Sequence, residues 1–348
     1  MMRITTRVTN EKWKEYTLSN DSGISMNVLN YGGIITKIMV PDQKGNIENV
    51  VLGYRDYRDY ESNPHYFGAI IGRVAGRIQG ASFKVENRSY PLAANNGKNH
   101  LHGGPNGLHQ VIWDTVPFQT QNAIGLKLTY KSVNGEAGYP GNLEMMITYT
   151  LNNKNQLSLD YTATCDQTTP LSLTNHSYFN LSGNLKNTIQ DHHVTIASSR
   201  FAELNEDLIP TGKLVDVDET PFDFRNNGLV LGTGFNSTFM QNRIVGNGYD
   251  HYFIFDNKLA EAVATLEDPT SGRVMSVKTD QPGMVMYTSN AMDTEWTLRE
   301  GPSRKYLGIC FETQASPASL HHQGFPSVMV KAGEKYEKQT VFSFKLKH

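Results

Sequence analysis

The sequence predicts an all-β fold, a large antiparallel sandwich or barrel with little helix, and three observations carry that expectation. Apolar residues alternate with polar ones in runs spread from one end of the chain to the other. The runs are separated by short turn signals. No segment sustains the i, i+3, i+4, i+7 apolar stripe of an amphipathic helix over a dozen residues.

Taken in order, the first punctuation is "NYGG" at 30–33 and "PDQKGN" at 41–46, glycine-bearing turns that suit hairpins. "RDYRDYESNPHYF" at 55–67 holds a turn or two of helix before Pro64, and "NNGKN" at 95–99 is another turn. "LEMMITYTL" places Leu143, Met145, Ile147, Tyr149 and Leu151 on one side and Glu144, Thr148 and Thr150 on the other, the pattern of a half-buried antiparallel strand. After "LNNKNQ", the run "QLSLDYTATC" repeats it with Leu157, Leu159, Tyr161 and Ala163 inward. "EDPTSGR" and "KAGEK" mark further turns, and "FSFKLKH" ends the chain with Phe342, Phe344 and Leu346 on one face. Strands joined by turns without intervening helices exclude a parallel βαβ sheet. With no internal repeat, low-complexity tract or Pro/Ser-rich linker, residues 1–348 are expected to form a single domain.

Composition narrows the function. The 348-residue chain carries a net charge of −2, which makes nucleic acid and anionic membrane poor partners. Thirty Gly, 14 Pro and 17 Tyr fit many turns and half-buried aromatic strands. Two cysteines, Cys165 and Cys310, are too few for a disulfide framework and point to a reduced, cytoplasmic chain. The first residues, "MMRITTRVTNEKWKEYTL", lack the apolar stretch of about 7 to 15 residues in a secretory signal. No run of about 18 apolar residues occurs.

Several stretches carry chemistry. In "SLTNHSYFNLSG", residues 172–183 read as a strand put Ser172, Thr174, His176, Tyr178, Asn180 and Ser182 on one face, all polar and none acidic, suited to a ligand rich in hydroxyls. "KNHLHGGPNGLH" offers His100, His102 and His109, with Gly103 and Gly104 permitting a close backbone approach. A His-x-His pair can bind zinc, but no third and fourth ligand stand at a recognisable spacing, so the expectation is no metal. In "YLGICFETQ", Leu307, Ile309 and Phe311 share one face and Gly308, Cys310, Glu312 and Gln314 the other, with Glu312 the only charge. A carboxylate in such surroundings is either a solvated strand end or a group whose raised proton affinity suits a general base. Arg73 and Arg77 in "IGRVAGRIQG" either bridge surface loops or direct their forks at sugar oxygens. The stretch lacks the Gly-Lys-Ser/Thr of a phosphate loop. Asp250, heading "YDHYFIF", caps a turn or accepts from vicinal hydroxyls.

"GRVAGRI", "NHLHGG", "AGYPG", "TNHSYFNLSG", "YDHYF" and "FETQ" occur in this order across residues 72–314, and together they resemble the aldose 1-epimerases, or galactose mutarotases. The resemblance implies a large antiparallel β-sandwich with an open cleft, no cofactor or metal, and interconversion of the α and β anomers of free hexoses such as galactose and glucose. Residue by residue it implies Glu312 as general base and His176 as general acid. His102 is implied near the ring oxygen, with Arg77 and Asp250 on the sugar hydroxyls. Many relatives carry Asn where this chain has Gly76 and Gln where it has Val285.

Anomer exchange removes the proton of the C1 hydroxyl while the ring oxygen gains one, so base and acid must converge on two oxygens of one carbon. That requirement predicts Glu312 and His176 close together, as a Glu⁻/His⁺ pair, each about 2.6 to 3.2 Å from its oxygen in the sugar complex. Tyr178 or Phe253 can cover the apolar face of the pyranose. The expected partner is a small monosaccharide, on a monomer or homodimer. Three alternatives stand beside it: a hexose-phosphate epimerase, using Arg73, Arg77 and Arg88 as a basic cluster, a non-catalytic carbohydrate-binding module, and a metal-dependent hydrolase.

Overall fold

The computed structural model describes residues 1–10, 12–256 and 261–347. The alternating runs form the long strands of a nine-stranded sheet. Leu143–Asn152 pairs antiparallel with Ala123–Ser132 on one side and Gln156–Cys165 on the other, and Gln156–Cys165 pairs with the C-terminal strand Lys335–Leu346. All five predicted inward residues of Leu143–Asn152 are buried, as are Leu157, Leu159, Tyr161 and Ala163. Period-2 patterning placed these side chains because one sheet face meets the core and the other meets water.

A second, six-stranded sheet has the order Tyr178–Phe179, Ile309–Gln314, Gly283–Tyr287, Asp250–Ile254, Arg200–Leu204, Pro210–Asp216. A third, five-stranded sheet begins at Arg3–Thr9 and ends at Ile47–Asn49. One apolar cluster joins all three. It takes Leu159, Phe342 and Val277 from the nine-stranded sheet, Phe253, Met284, Met286, Ile309 and Phe311 from the six-stranded sheet, and Val28 and Ile38 from the five-stranded one. The named strands all pair antiparallel with their neighbours in these sheets, and among the described residues no helix exceeds five residues. Tyr57–Glu61 is the short helical turn expected before Pro64. Among the described residues no helix is long and apolar enough to cross a membrane.

Because strand side chains alternate, the core-facing residues of the six-stranded sheet fix what its other face presents. Pairing sets Asp250 opposite Tyr287 and Tyr287 opposite Cys310, then Tyr252 opposite Val285 and Val285 opposite Glu312. That outer face is the floor of a cleft.

Residues 172–183 differ from their expected form. They do not make a continuous strand: Thr174–Asn175 pairs with Ile70–Ile71, and Tyr178–Phe179 pairs with Ile309–Gln314. Every residue of the segment is buried, so it has no wet face at all. Most of its polar groups are satisfied within the protein. Ser172 Oγ donates to the Ala315 carbonyl, Asn180 Nδ2 donates to the carbonyls of Asn187 and Leu307, and Ser182 Oγ donates to Asn180 Oδ1. Only His176 and Tyr178 of the six reach the cleft.

Candidate active site

The cleft holds about 1060 Å³ of space out to its mouth. Glu312 and Gln314 from Ile309–Gln314, Asp250 from Asp250–Ile254, and Val285 and Tyr287 from Gly283–Tyr287 line it from the floor. The walls are loops. His176 is set by two backbone bonds, its N–H donating to the Ala69 carbonyl and its carbonyl accepting from Gly68 N–H, both at 2.9 Å. Arg77 and His102 are neighbours because Arg77–Ile78 pairs with His100–Leu101. Gly103 follows His102 at φ +83°, where a Cβ would stand 1.8 Å from the Gly72 carbonyl oxygen, so only glycine lets this turn deliver His102 to the cleft.

At the base of the cleft, His176 Nε2 lies 3.4 Å from Glu312 Oε1. Both residues are under 5 % exposed, and Glu312 Oε2 has no partner among the described residues. Burial pushes the Glu312 carboxyl well above the usual carboxylate range, with the Asp250 charge adding to the rise and Arg77 opposing it. Burial pushes His176 down to about 3. At its other ring nitrogen, Nδ1 is 3.5 Å from Cys310 Sγ, a thiol that burial keeps protonated and that does little to stabilise an imidazolium. Burial at both groups therefore favours a neutral carboxyl beside a neutral imidazole, with one ionisable proton on the pair, over Glu⁻/His⁺.

His102, His176 and Glu312 bring one donor atom each within 4.8 Å of one another, close enough to surround an ion. The chemistry of His102 argues against that use. Its Nδ1 accepts from Gly76 N–H at 3.1 Å, which leaves the proton of the neutral ring on Nε2. Burial holds His102 well below its ordinary value, and the proximity of His176 and Arg77 adds to the fall. A neutral ring with one nitrogen bonded and the other protonated has no lone pair to give a metal, and instead presents an N–H donor.

Arg77 and Asp250 face each other at the cleft wall, Nη1 to Oδ2 3.5 Å, and Arg77 Nε donates to Asn96 Oδ1 at 3.0 Å. Burial raises Asp250, and Arg77 pulls it part of the way back. The other arginines go elsewhere. Arg73 is 3 % exposed and spends its guanidinium on Ser132 and on the carbonyls of Pro140 and Val133. Arg88 lies outside the cleft, over the Tyr90 ring. A basic cluster for phosphate is therefore absent from the cleft among the described residues, with Arg77 already facing a carboxylate.

The cleft gathers Glu312, His176, His102, Arg77, Asp250 and Tyr178. His100 is not part of it: its Nδ1 and Nε2 bond the Ala93 carbonyl and Tyr139 hydroxyl in the interior. Phe253 is buried in the core on the opposite face of its sheet, so it cannot cover a sugar. Tyr178, 2 % exposed, stacks on His176 with ring centroids 5.0 Å apart and backs the imidazole. The more open aromatic rings are half-buried Tyr66 and Tyr287, which the sequence did not single out. Tyr66 holds φ +56°, an uncommon conformation for a bulky residue, and its ring meets those of His102, His109 and His176. His65 and Gln314 also line the cleft.

The model of the family described as aldose 1-epimerase matches residues 14–343. Galactose mutarotase of Sus scrofa is 38 % identical over 333 residues, covering 95 % of this chain and 94 % of that one. Maltose epimerase of Levilactobacillus brevis is 31 % identical over 323 residues, covering 93 % and 92 %. Among solved structures, the galactose 1-epimerase of Lactobacillus acidophilus NCFM superposes with a TM-score of 0.88 at 28 % identity, covering 100 % of this chain and 99 % of that one.

Proposed function

Because the chain belongs to the aldose 1-epimerase family, we propose that it interconverts the α and β anomers of free hexoses, galactose and glucose among them, with Glu312 as general base and His176 as general acid. We assign the activity to one domain spanning residues 1–348, working on a small monosaccharide in the cytoplasm. Two buried free thiols, Cys165 and Cys310, support a reducing compartment.

The observation that carries the assignment is the 3.4 Å approach of His176 Nε2 to Glu312 Oε1 at the base of an open cleft. Two oxygens on one carbon are closer together than two hydrogen-bonded atoms, so groups at this separation can each hold one of them. In the reactive complex Glu312 is ionised and His176 is charged. Glu312 takes the proton of the C1 hydroxyl, His176 Nε2 gives its proton to the ring oxygen, the bond from C1 to the ring oxygen breaks, and C1 becomes an aldehyde. Rotation about C1–C2 presents the other carbonyl face. The same two protons then return, giving the opposite anomer with both residues as they began.

This sequence explains why burial suits the pair. Opening the ring converts Glu⁻/His⁺ into GluH/His, and both burial effects favour the neutral state. The site thus stabilises the protonation state that accompanies the open chain, where the barrier is approached, over the ion pair that faces the closed sugar. His102, donating through Nε2, supports the oxygen that gains charge. Asp250 accepts from sugar hydroxyls and Arg77 donates to them, and Tyr66 and Tyr287 offer ring surface to the C–H face.

Polarimetry on freshly dissolved α-D-galactose and α-D-glucose tests the assignment. Catalysed approach to the equilibrium rotation is expected. Binding without acceleration would mark a carbohydrate-binding module instead.

A further inference from the structure

Two acceptors on the cleft face of one strand have no donor among the described residues. Glu312 Oε2 is one, explained by the reaction; Gln314 Oε1, two residues further along Ile309–Gln314, is the other. Gln314 is 1 % exposed, so water outside the cleft does not supply the missing bond. The amide orientation is set locally: Nε2 donates to the Ala75 carbonyl at 3.3 Å, and turning the amide over would place two oxygens against each other. Among the described residues no donor bonds Oε1; the Tyr252 hydroxyl, which lies over Gly283, is itself unpaired. The residue opposite on the neighbouring strand is Gly283, and Gly76 sits where an added Cβ would come 3.3 Å from Gln314 Nε2 and 3.1 Å from Pro317. The Tyr252 ring fills the space over Gly283, so what sets Gln314 apart is a buried acceptor without a donor on the strand face that lines the cleft.

We propose that Gln314 is a sugar-binding residue whose Oε1 accepts the hydrogen of a hexose hydroxyl beyond C2. This rests on the proposed function. Two residues along a strand span about 6.6 Å, so with Glu312 on the C1 oxygen, Gln314 reaches across the ring rather than to the adjacent hydroxyl. The contact selects sugars that carry a hydroxyl at C3, C4 or C6 in the matching position, and it is made equally to the closed and open forms, so it acts on binding rather than on turnover.

The test uses the full chain with galactose and its 3-, 4- and 6-deoxy analogues, comparing the wild type with Gln314→Met, which keeps the length and removes the acceptor. Q314M is expected to raise KM for galactose about 3- to 10-fold, the loss of one neutral hydrogen bond, with kcat within about twofold. One deoxy analogue should suffer the same KM loss in the wild type and none further in Q314M, a non-additivity that a purely structural role at Ala75 does not produce. Losses that multiply for every analogue would overturn the proposal, as would an unchanged KM in Q314M. Should Q314M fold poorly, the wild-type series suffices to refute: equal KM for galactose and all three analogues excludes the contact. An active wild type with additive losses sinks Gln314 alone. A wild type that accelerates no anomer exchange sinks the reading beneath it, and galactose affinity by calorimetry then applies the same comparison to binding.

Discussion

Replacing Glu312 by Gln isolates the base from the fold. The carboxyl has one protein contact through Oε1, at 3.4 Å to His176 Nε2, and none through Oε2. Burial favours its neutral form, and an amide has the same shape without the charge. Stability should change little, with Tm within about 3 °C of wild type. Turnover should not survive in the same way, because an amide cannot take the C1 hydroxyl proton. General acid–base help is worth about 10² to 10⁴ per group, and at about 1.4 kcal/mol per tenfold that is about 2.7 to 5.4 kcal/mol of barrier. KM should stay near wild type, since the sugar still meets Arg77, Asp250 and His102. The assay is polarimetry on fresh α-D-galactose with the uncatalysed rate subtracted, alongside a circular-dichroism melt. A folded Glu312→Gln protein working within tenfold of wild type would refute the reasoning.

Other consequences can be checked in parallel. The pH profile of kcat/KM should fall on the alkaline side, as the pair loses its single proton through the raised Glu312 value, and on the acid side only near pH 3, as a second proton reaches His176; a rate that keeps climbing above neutrality would instead indicate a lone carboxylate base. Arg77→Gln, which removes a charged partner from Asp250 and from the sugar, should cost kcat/KM about 10- to 100-fold, mostly through KM, in steady-state kinetics. Treatment with EDTA should leave full activity, because His102 presents a protonated Nε2; reversible loss of activity restored by zinc would contradict that proton assignment. Arg273, 1 % exposed, donates to Glu48 and to the carbonyls of Val40, Leu181 and Asn46, so Arg273→Met should destabilise the protein by about 1 to 3 kcal/mol in denaturant unfolding by leaving those buried carbonyls without their donor, while Lys186 still pairs with Glu48.

The sequence showed the long strands because alternation works where one sheet face is wet. Leu143–Asn152 buries each predicted residue for that reason. Alternation does not describe residues 172–183, which run through the interior with no wet side: polarity there served Asn180 in bonding the carbonyls of Asn187 and Leu307 and Ser182 in bonding the Asn180 amide, and only His176 and Tyr178 reach the cleft. His100 and Arg73 misled for a related reason, since a polar side chain satisfied inside the fold looks in one dimension like one reserved for a ligand. Phe253, offered beside Tyr178 as a ring to cover the sugar, lies on the core face, as its own alternation with Asp250 and Tyr252 requires. Gln314 was legible by the same count, two residues from Glu312 on the same face. Tyr66 was not, because its position depends on a left-handed backbone conformation that no local pattern announces. The charge state of the pair was also out of reach, since it follows from how completely the two strands and their loops exclude water.

A structure of the protein soaked with galactose tests the central claim most directly. The account predicts the reducing end at the base of the cleft, with a Glu312 carboxyl oxygen and His176 Nε2 each about 2.6 to 3.2 Å from the two oxygens of C1. A sugar bound with C1 turned towards the mouth, or with either residue out of reach of those oxygens, would contradict it.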